Sequence, residues 1–295
     1  MGELQFIKNY RDDVLLRESF FQRANQTFGL NFKSWFEHGY WGEKYIPYSY
    51  VENNKIVANA SVNVLDLIID GKQHRAIQIG TVMTHPDYRH QGLSKHLMNR
   101  ILEEYENKYD IMYLFANESV LDFYPKFGFR RIEQHQYYAT FSPKGRSATK
   151  LRKLTIDKKE DLELIESFAN ERIPVSSCFA TKNAQELLMF HCLNTFRDAL
   201  YYHPIEDAIV LLHKDGNRIE LFDLISKNKI NLQQILEDLS GEQNHWTITF
   251  HYTPDAEEDI EFECKPFKDG GALFVKTNGT ISFPTNVKFP VTSEA

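Results

Sequence analysis

The first half of the chain alternates apolar and polar positions in short runs that predict β-strands. Turn residues separate these runs, and Asn53-Asn54 and Asp70-Gly71 favour tight hairpins. The predicted strands cover residues 4–7, 46–51, 55–66, 67–69, 76–84 and 111–116. Apolar residues at helical spacing predict a helix over residues 12–28 and another that contains Leu97 to Tyr105.

The stretch from Ile77 to Ser94 combines a strand, a tight turn and the start of a helix. The strand ends at His85-Pro86-Asp87, and the helix places Leu97 and Ile101 on one face. Gly92 lies in the turn. The first N–H groups of a helix have no partner within it, and the helix dipole is positive there, so such a turn suits a phosphate. A lone glycine in such a turn more often only ends a strand.

The second half repeats a similar order of elements, without a repeated sequence. Residues 142–150 are polar, contain Pro143 and Gly145, and are the predicted linker. Strands are predicted over residues 151–156, 208–213, 218–225 and 246–252, and helices over 157–169, 184–200 and 232–239. A final hairpin is predicted beyond Pro266, with turns at Asp269-Gly270-Gly271 and Asn278-Gly279.

Composition narrows the function classes. The 295 residues suggest two domains, and 25% charged with 42% hydrophobic residues is typical of a globular protein. A net charge of −7 gives a nucleic-acid partner no support and mildly favours an amine. The three cysteines are widely spaced, which argues against a disulfide framework or a zinc site. With no signal sequence in residues 1–10 and no apolar run of membrane-spanning length, we expect a cytoplasmic protein without a membrane partner.

Two motifs at matching distance give the chain a family resemblance. The first is Arg89-His90-Gln91-Gly92-Leu93-Ser94, preceded by Thr84-x-Pro-x-Tyr, and the second runs from Asn117 to Tyr124-x-x-x-Gly-Phe. Together they resemble the GCN5-related N-acetyltransferases, the GNAT family, over about residues 1–140. His90 and Ser94 replace residues that are usually small in the family, and His90 would alter how closely a pyrophosphate approaches.

The resemblance implies an α/β (α+β) fold, a mixed, mostly antiparallel twisted sheet flanked by helices. It implies an acetyl-CoA-binding N-acetyltransferase domain over residues 1–141 and, after the linker at 142–150, a degenerate acetyltransferase-like unit without a CoA site over 151–295. The cosubstrate would be acetyl-CoA, with no metal. Its expected contacts are Val82, Met83 and Thr84 of the strand, residues 89–94 of the loop (Arg89, His90, Gln91, Gly92, Leu93, Ser94) and Asn117. Gly80 marks an expected bulge beside the pantetheine arm.

The expected catalytic residue is Tyr124, as the acid for the departing thiolate. Without the motif, a tyrosine in such a segment is more often a packed core residue. Asn117 could instead be a plain helix cap. The base is open, because the strand candidates Gln78 and Thr81 are not bases. Remote candidates are Glu37, His38, Glu43 and Glu118, and a water relay is equally compatible.

An aromatic segment over residues 28–50 has two interpretations. Packing against the sheet is the favoured one, since aromatic side chains bury large areas wherever they occur. The alternative is an acceptor pocket with Trp35, Tyr40, Trp41 and Glu43 as substrate-binding residues.

The sequence therefore predicts an acetyl-CoA-dependent N-acetyltransferase acting on a primary amine, either a small molecule or a peptide. The alternatives are an acyl or aminoacyl transferase of related fold, which the width of the pocket beside Gly80 would distinguish, and a non-catalytic acyl-CoA sensor. The second unit is expected to wall the acceptor pocket or to form a subunit contact in a homodimer.

Overall fold

The computed structural model describes residues 3–144, 149–240, 245–267, 271–279 and 281–294. Within them the strands are β1 Gln5–Lys8, β2 Tyr45–Glu52, β3 Lys55–Ile69, β4 Lys72–Thr84, β5 Ile111–Ala116, β6 Arg130–Ile132, β7 Gln134–Phe141, β8 Arg152–Lys153, β9 Phe179–Lys182, β10 Leu200–His203, β11 Ala208–Asp215, β12 Arg218–Ser226, β13 Trp246–Phe250, β14 Phe262–Phe267 and β15 Ala272–Thr277. The helices are α1 Val14–Phe28, α2 Phe32–Glu37, α3 Leu93–Glu104, α4 Lys159–Glu171, α5 Gln185–Leu193 and α6 Leu232–Ser240, with short 3₁₀ turns.

These elements form two twisted sheets, which confirms the predicted fold class. The first has the order β1-β2-β3-β4-β5-β15-β6, with β9 against β3, and the second has β14-β7-β13-β12-β11-β10-β8. The parallel pairs are β4 with β5 and β12 with β13, and the remaining pairs of strands are antiparallel. In each unit a helix, α3 or α6, follows the first strand of the parallel pair, which is the right order for a crossover connection.

The two sheets exchange strands. β7, from the first half of the chain, lies between β13 and β14 in the second sheet, and β15, from the second half, lies between β5 and β6 in the first. The division into 1–141 and 151–295 stays a prediction, and the linker residues 145–148 lie outside the described residues. Whatever the boundary, each sheet is completed by the other half of the chain.

Several predicted elements need correction. The final hairpin is wrong, because β14 pairs with β7 and β15 pairs with β5 and β6. Of its predicted first turn, Asp269-Gly270 lies outside the described residues. The strand over 151–156 shrinks to β8, and the helix over 184–200 ends at Leu193 and gives way to β10. The predicted strands 55–66 and 67–69 are one continuous strand.

The core of the first unit lies on both faces of its sheet. On one face Leu97, Met98 and Ile101 of α3 pack on Ile77 and Ile79 of β4, as the helical spacing predicted. The other face is covered by an aromatic cluster from α1, α2 and β2, which also contacts Phe190 of α5: its larger members are Phe20, Phe32, Trp35, Trp41 and Tyr45. The sheet that carries the site is therefore covered by α3 on one face and by the aromatic cluster on the other.

Candidate functional site

The loop before α3 leaves a row of backbone donors without protein partners. His90 and Gly92 both have left-handed backbones, with φ of 65° and 77°, and Gly92 stands at the N-cap of α3. No side chain caps this helix start. Among the described residues, the N–H groups from His90 to Lys95 donate to no protein acceptor. These unpaired donors lie at the positive end of the α3 dipole and can bind an anion.

Contacts on both sides fix this loop in place. The His85 amide donates to the Val57 carbonyl at 2.7 Å, and the Tyr88 hydroxyl donates to the Glu52 carboxylate. The hydroxyls of Thr84 and Ser94 form a hydrogen bond of 2.8 Å, which connects the end of β4 to the start of α3. Ser94 therefore fits the turn by bonding within the protein.

The side chains around the loop are mainly cationic or neutral. Arg89, His90, Lys95 and His96 are exposed there, with Asp87 as the nearby carboxylate. Within the described ranges, the Arg89 guanidinium donates only to the Thr84 carbonyl, at 3.5 Å. The donors, the dipole and the charge thus fit a pyrophosphate such as that of acetyl-CoA.

Beyond the loop, β4 and β5 separate. Their parallel pairing covers Ala76–Ile79 against Ile111–Leu114, although β4 continues to Thr84 and β5 to Ala116. Val82, Met83 and Thr84 therefore leave their main chain on the β5 side without a partner strand in the described residues. A gap of this kind can receive an extended acyl-CoA arm, as the resemblance implies for these residues.

A bulge in β4 stands where the strands part. Asn59 pairs with Met83 but Ser61 pairs with Gly80, so Thr81 and Val82 together face Ala60. The left-handed residue is Thr81, with φ of 51°, rather than Gly80. A β-branched residue in this region is unusual, and the Thr81 carbonyl is held by the Asn59 amide at 2.8 Å and its hydroxyl by Tyr45 at 3.0 Å.

Tyr124 opens a 3₁₀ turn after β5, on the α3 face of the sheet. Its ring packs between Phe123, Phe129 and Phe274, and its side chain is buried. Burial raises the pKa of Tyr124 to about 12, so the hydroxyl stays protonated at neutral pH. Among the described residues that hydroxyl has no protein partner, which leaves it free to donate to a ligand. Its catalytic role stays a prediction.

Asn117 directly follows β5 and is exposed. It precedes a short 3₁₀ turn, but its side chain makes no cap hydrogen bond there. The cap interpretation therefore has no side-chain contact behind it, and the amide is available to a ligand.

Two cavities lie outside the loop. The larger, about 570 Å³, lies between the β3–β4 turn, residues 173–177 and the start of α6, and it includes no residue of the loop or the bulge. The smaller, about 80 Å³, is next to Thr81 and is called here the inner cavity. Its apolar walls are Leu30, Phe32, Trp35, Leu187 and Phe190, and its polar lining is Tyr45, Asn63, Thr81, His191, Thr195 and Glu294. Because Thr81 of the bulge lines the inner cavity, we assign that cavity, and not the larger one, to the candidate site.

Of the expected acceptor residues, Trp35 lines the inner cavity, and the others lie elsewhere. Trp41 is buried in the aromatic cluster and donates to the Tyr45 carbonyl at 3.1 Å. Tyr40 bonds the Glu166 carboxylate at 3.4 Å. Glu43 is at the surface, 2.9 Å from Arg11. Most of the aromatic segment over residues 28–50 packs against the sheet, as the favoured interpretation of the sequence predicts.

The remote base candidates do not reach the inner cavity. Glu37, His38 and Glu118 are exposed, and none of them lines it. Gln78 is buried, and its amide donates to the Ser293 carbonyl at 3.0 Å. Besides Tyr45, the titratable residues that line the inner cavity are His191 and Glu294. No motif surrounds either of these two residues in the sequence, so no local pattern could have identified them.

Comparison with known proteins agrees with this geometry. Residues 14–132 match the family model described as "Acetyltransferase (GNAT) domain". This match confirms, over residues 14–132, the resemblance found in the sequence. No curated protein matches the chain.

Several solved structures have a similar fold, and the similarity covers both units of this chain. A probable N-acyltransferase from Enterococcus faecalis V583 is 12% identical, with 94% of this chain and 73% of that one covered and a TM-score of 0.61. Eis1 from Mycobacterium abscessus is 13% identical, with 92% and 73% covered and a TM-score of 0.56. A GCN5-related N-acetyltransferase from Kribbella flavida is 14% identical, with 93% and 71% covered and a TM-score of 0.54. At these identities the likeness concerns the fold alone.

Two further observations bear on partners and cofactors. No helix in the described ranges is long and apolar enough to cross a bilayer. The described residues also contain no group of three or more His, Cys, Asp or Glu side chains arranged to hold a metal.

Proposed function

We propose that this protein is an acetyl-CoA-dependent N-acetyltransferase that acylates a primary amine. The observation that carries the proposal is the row of unpartnered N–H groups at the start of α3, beside the gap between β4 and β5. Residues 89–94 would hold the pyrophosphate, and the free main chain of Val82, Met83 and Thr84, with Asn117, would hold the arm. Acetyl-CoA supplies an activated acyl group when bound.

The chain's own groups supply orientation and proton handling. The gap between β4 and β5 directs the acyl end toward the bulge at Thr81, where the inner cavity begins. Tyr124, protonated at neutral pH, would donate a hydrogen bond to the departing sulfur. With its pKa near 12 it is a weak acid, so stabilisation of the sulfur by hydrogen bonding is its main expected contribution.

The size of the inner cavity favours a short acyl group and a slender acceptor. A volume of about 80 Å³ is well below the roughly 300–1,000 Å³ of typical small-molecule pockets. This supports acetyl transfer over the transfer of long acyl or aminoacyl groups. The acceptor amine, a small molecule or the amine of a peptide, would present a narrow end to the cavity.

The proposal includes a cytoplasmic location, because Cys178, Cys192 and Cys264 are all free thiols. It includes no nucleic-acid partner and no membrane partner, in keeping with the net charge of −7 for the former. A homodimer through the second unit remains the proposed assembly if the protein associates.

The test is a screen of primary amines for release of the CoA thiol from acetyl-CoA, with calorimetry of acetyl-CoA binding beside it. Amine-dependent thiol release is expected, with slower release from acyl donors longer than acetyl. Binding without transfer to any amine would favour the acyl-CoA sensor. Absence of both would refute the assignment of the loop.

A further inference from the structure

The segment from Val287 to Glu294 crosses the first sheet on the face opposite α3. Val287 and Phe289 are buried beside Tyr113 of β5. Ser293 is held twice, by the Gln78 amide at 3.0 Å and by the Thr181 hydroxyl at 2.6 Å. Since Gln78 is the β4 residue opposite Tyr113 in the parallel pair, these contacts fix the segment just before the two strands separate.

This anchoring places Glu294 among the residues that line the inner cavity. Its side chain keeps 29% of its surface exposed, and the carboxylate is 3.7 Å from the ammonium of buried Lys288. Burial raises the pKa of Glu294 to about 6, and Lys288 limits the rise. The carboxylate is therefore ionised at neutral pH and can take up a proton close to that pH.

His191 of α5 lines the same cavity and contributes a second acceptor. Its Nε2 lies 2.6 Å from the Glu294 carbonyl oxygen. A carbonyl can only accept, so Nε2 carries the hydrogen, and Nδ1 is a buried acceptor with no partner among the residues that the structure describes. Burial lowers the pKa of His191 to about 4, which keeps the ring neutral and makes it a weaker base than Glu294.

The charged and titratable groups that face this pair come from several elements. Lys288 belongs to the same segment as Glu294, Tyr113 comes from β5, Tyr45 from β2 and Asp223 from β12. Burial raises the pKa of both tyrosines, so neither ionises near neutral pH. Glu294 is thus the group of this set best suited to exchange a proton with a ligand at neutral pH.

We infer that Glu294 is the proton acceptor for the acceptor amine, which lies in the inner cavity and is oriented by His191 Nδ1. The inference rests on the proposed function. The substrate class that fits is a primary amine on a narrow apolar stem, because Phe32, Trp35 and Phe190 line the cavity beside these two acceptors.

The proton and bond changes balance with these groups. A C–N bond forms as the thioester C–S bond breaks, and the nitrogen gives up its proton to the Glu294 carboxylate. The departing sulfur leaves as a thiolate, with Tyr124 donating a hydrogen bond, and takes a proton from solvent. Glu294 then releases its proton to solvent, so the net reaction consumes one amine and one acetyl thioester and yields an amide and the thiol.

The test compares Glu294→Gln with Glu258→Gln, a matched change at an exposed residue that does not line the inner cavity. The readouts are kcat for unbranched primary alkylamines, acetyl-CoA affinity, melting temperature and the pH dependence of kcat. We expect Glu294→Gln to lower kcat by about 10²–10⁴-fold with unchanged acetyl-CoA affinity. Glu258→Gln should match the original protein, and Glu294→Asp should recover part of the loss because a carboxylate remains.

The pH profile is the second arm and needs no variant. With Glu294 as the base, kcat of the original protein rises with pH through about 6 and then levels, because the ionised form is the active one. A flat profile between pH 5 and 8, or a folded Glu294→Gln protein within about threefold of the original, would overturn the inference alone. If the original protein acylates no amine, the proposed function fails, and the inference fails with it.

Discussion

At the scale of single residues, Tyr124 has the surroundings of a hydrogen-bond donor and not of a charge carrier. Aromatic rings enclose it, and its pKa near 12 keeps the proton on the oxygen. We expect Tyr124→Phe to lower kcat by about 10²–10⁴-fold while acetyl-CoA affinity stays the same, because the hydroxyl acts only as sulfur departs. Steady-state kinetics and calorimetry measure the two effects separately.

Tyr109→Phe is the control for that change. Tyr109 is buried in the same core cluster as Tyr124, but it precedes β5 and is distant from the gap between β4 and β5. Loss of its hydroxyl should leave turnover unchanged. Equal effects of the two substitutions, or none from Tyr124→Phe, would contradict the role given to Tyr124.

At the scale of elements, the loop and α3 act together through Gly92. An added Cβ would meet no protein atom closer than His96 Nε2 at 4.0 Å, so the protein leaves open space there. We expect Gly92→Val to weaken acetyl-CoA binding strongly, because its side chain occupies the approach to the N–H groups. The left-handed backbone adds a folding cost of about 1–2 kcal/mol, and calorimetry with thermal unfolding measures both.

Gly216→Val separates these two costs. Gly216 also has a positive φ, 57°, and open space around it, but it lies in the β11–β12 turn of the second unit. It should show the folding cost without the loss of binding. An unchanged affinity in folded Gly92→Val would refute the loop as the CoA site.

At the scale of the whole molecule, the second unit has a parallel pair but not the open helix start. Asn231 Oδ1 accepts from the Gln234 amide at 3.1 Å and caps α6, and Lys227 is paired with Glu171 at 2.7 Å. We therefore expect one CoA site per chain in calorimetric titration of the full protein. A second site that persists in Gly92→Val would contradict this prediction.

The strand exchange leads to a prediction about the two halves. β15 lies between β5 and β6, and β7 lies between β13 and β14. A protease site placed in residues 142–150 should therefore give a nicked protein that stays one particle on gel filtration and keeps CoA binding. Separation of the halves after cleavage, without denaturant, would show that the exchanged strands do not hold them together.

The sequence by itself determined β4, α3, the position of the loop between them and the fold class. Each depends on contiguous residues whose spacing reflects local backbone geometry, as in the run from Ile77 to Ile101. It also favoured packing of the aromatic segment against the sheet, since large aromatic side chains bury large areas wherever they occur.

Only the tertiary structure decided which strands complete each sheet and which groups line the inner cavity. Leu273 pairs with Phe115, and Glu294 lines the same cavity as Thr81, across more than half of the chain. Pairing between distant strands depends on the packing of the whole molecule and leaves no periodic pattern in the local sequence. For that reason the sequence left the base open, while the folded chain places Glu294 among the residues that line the cavity.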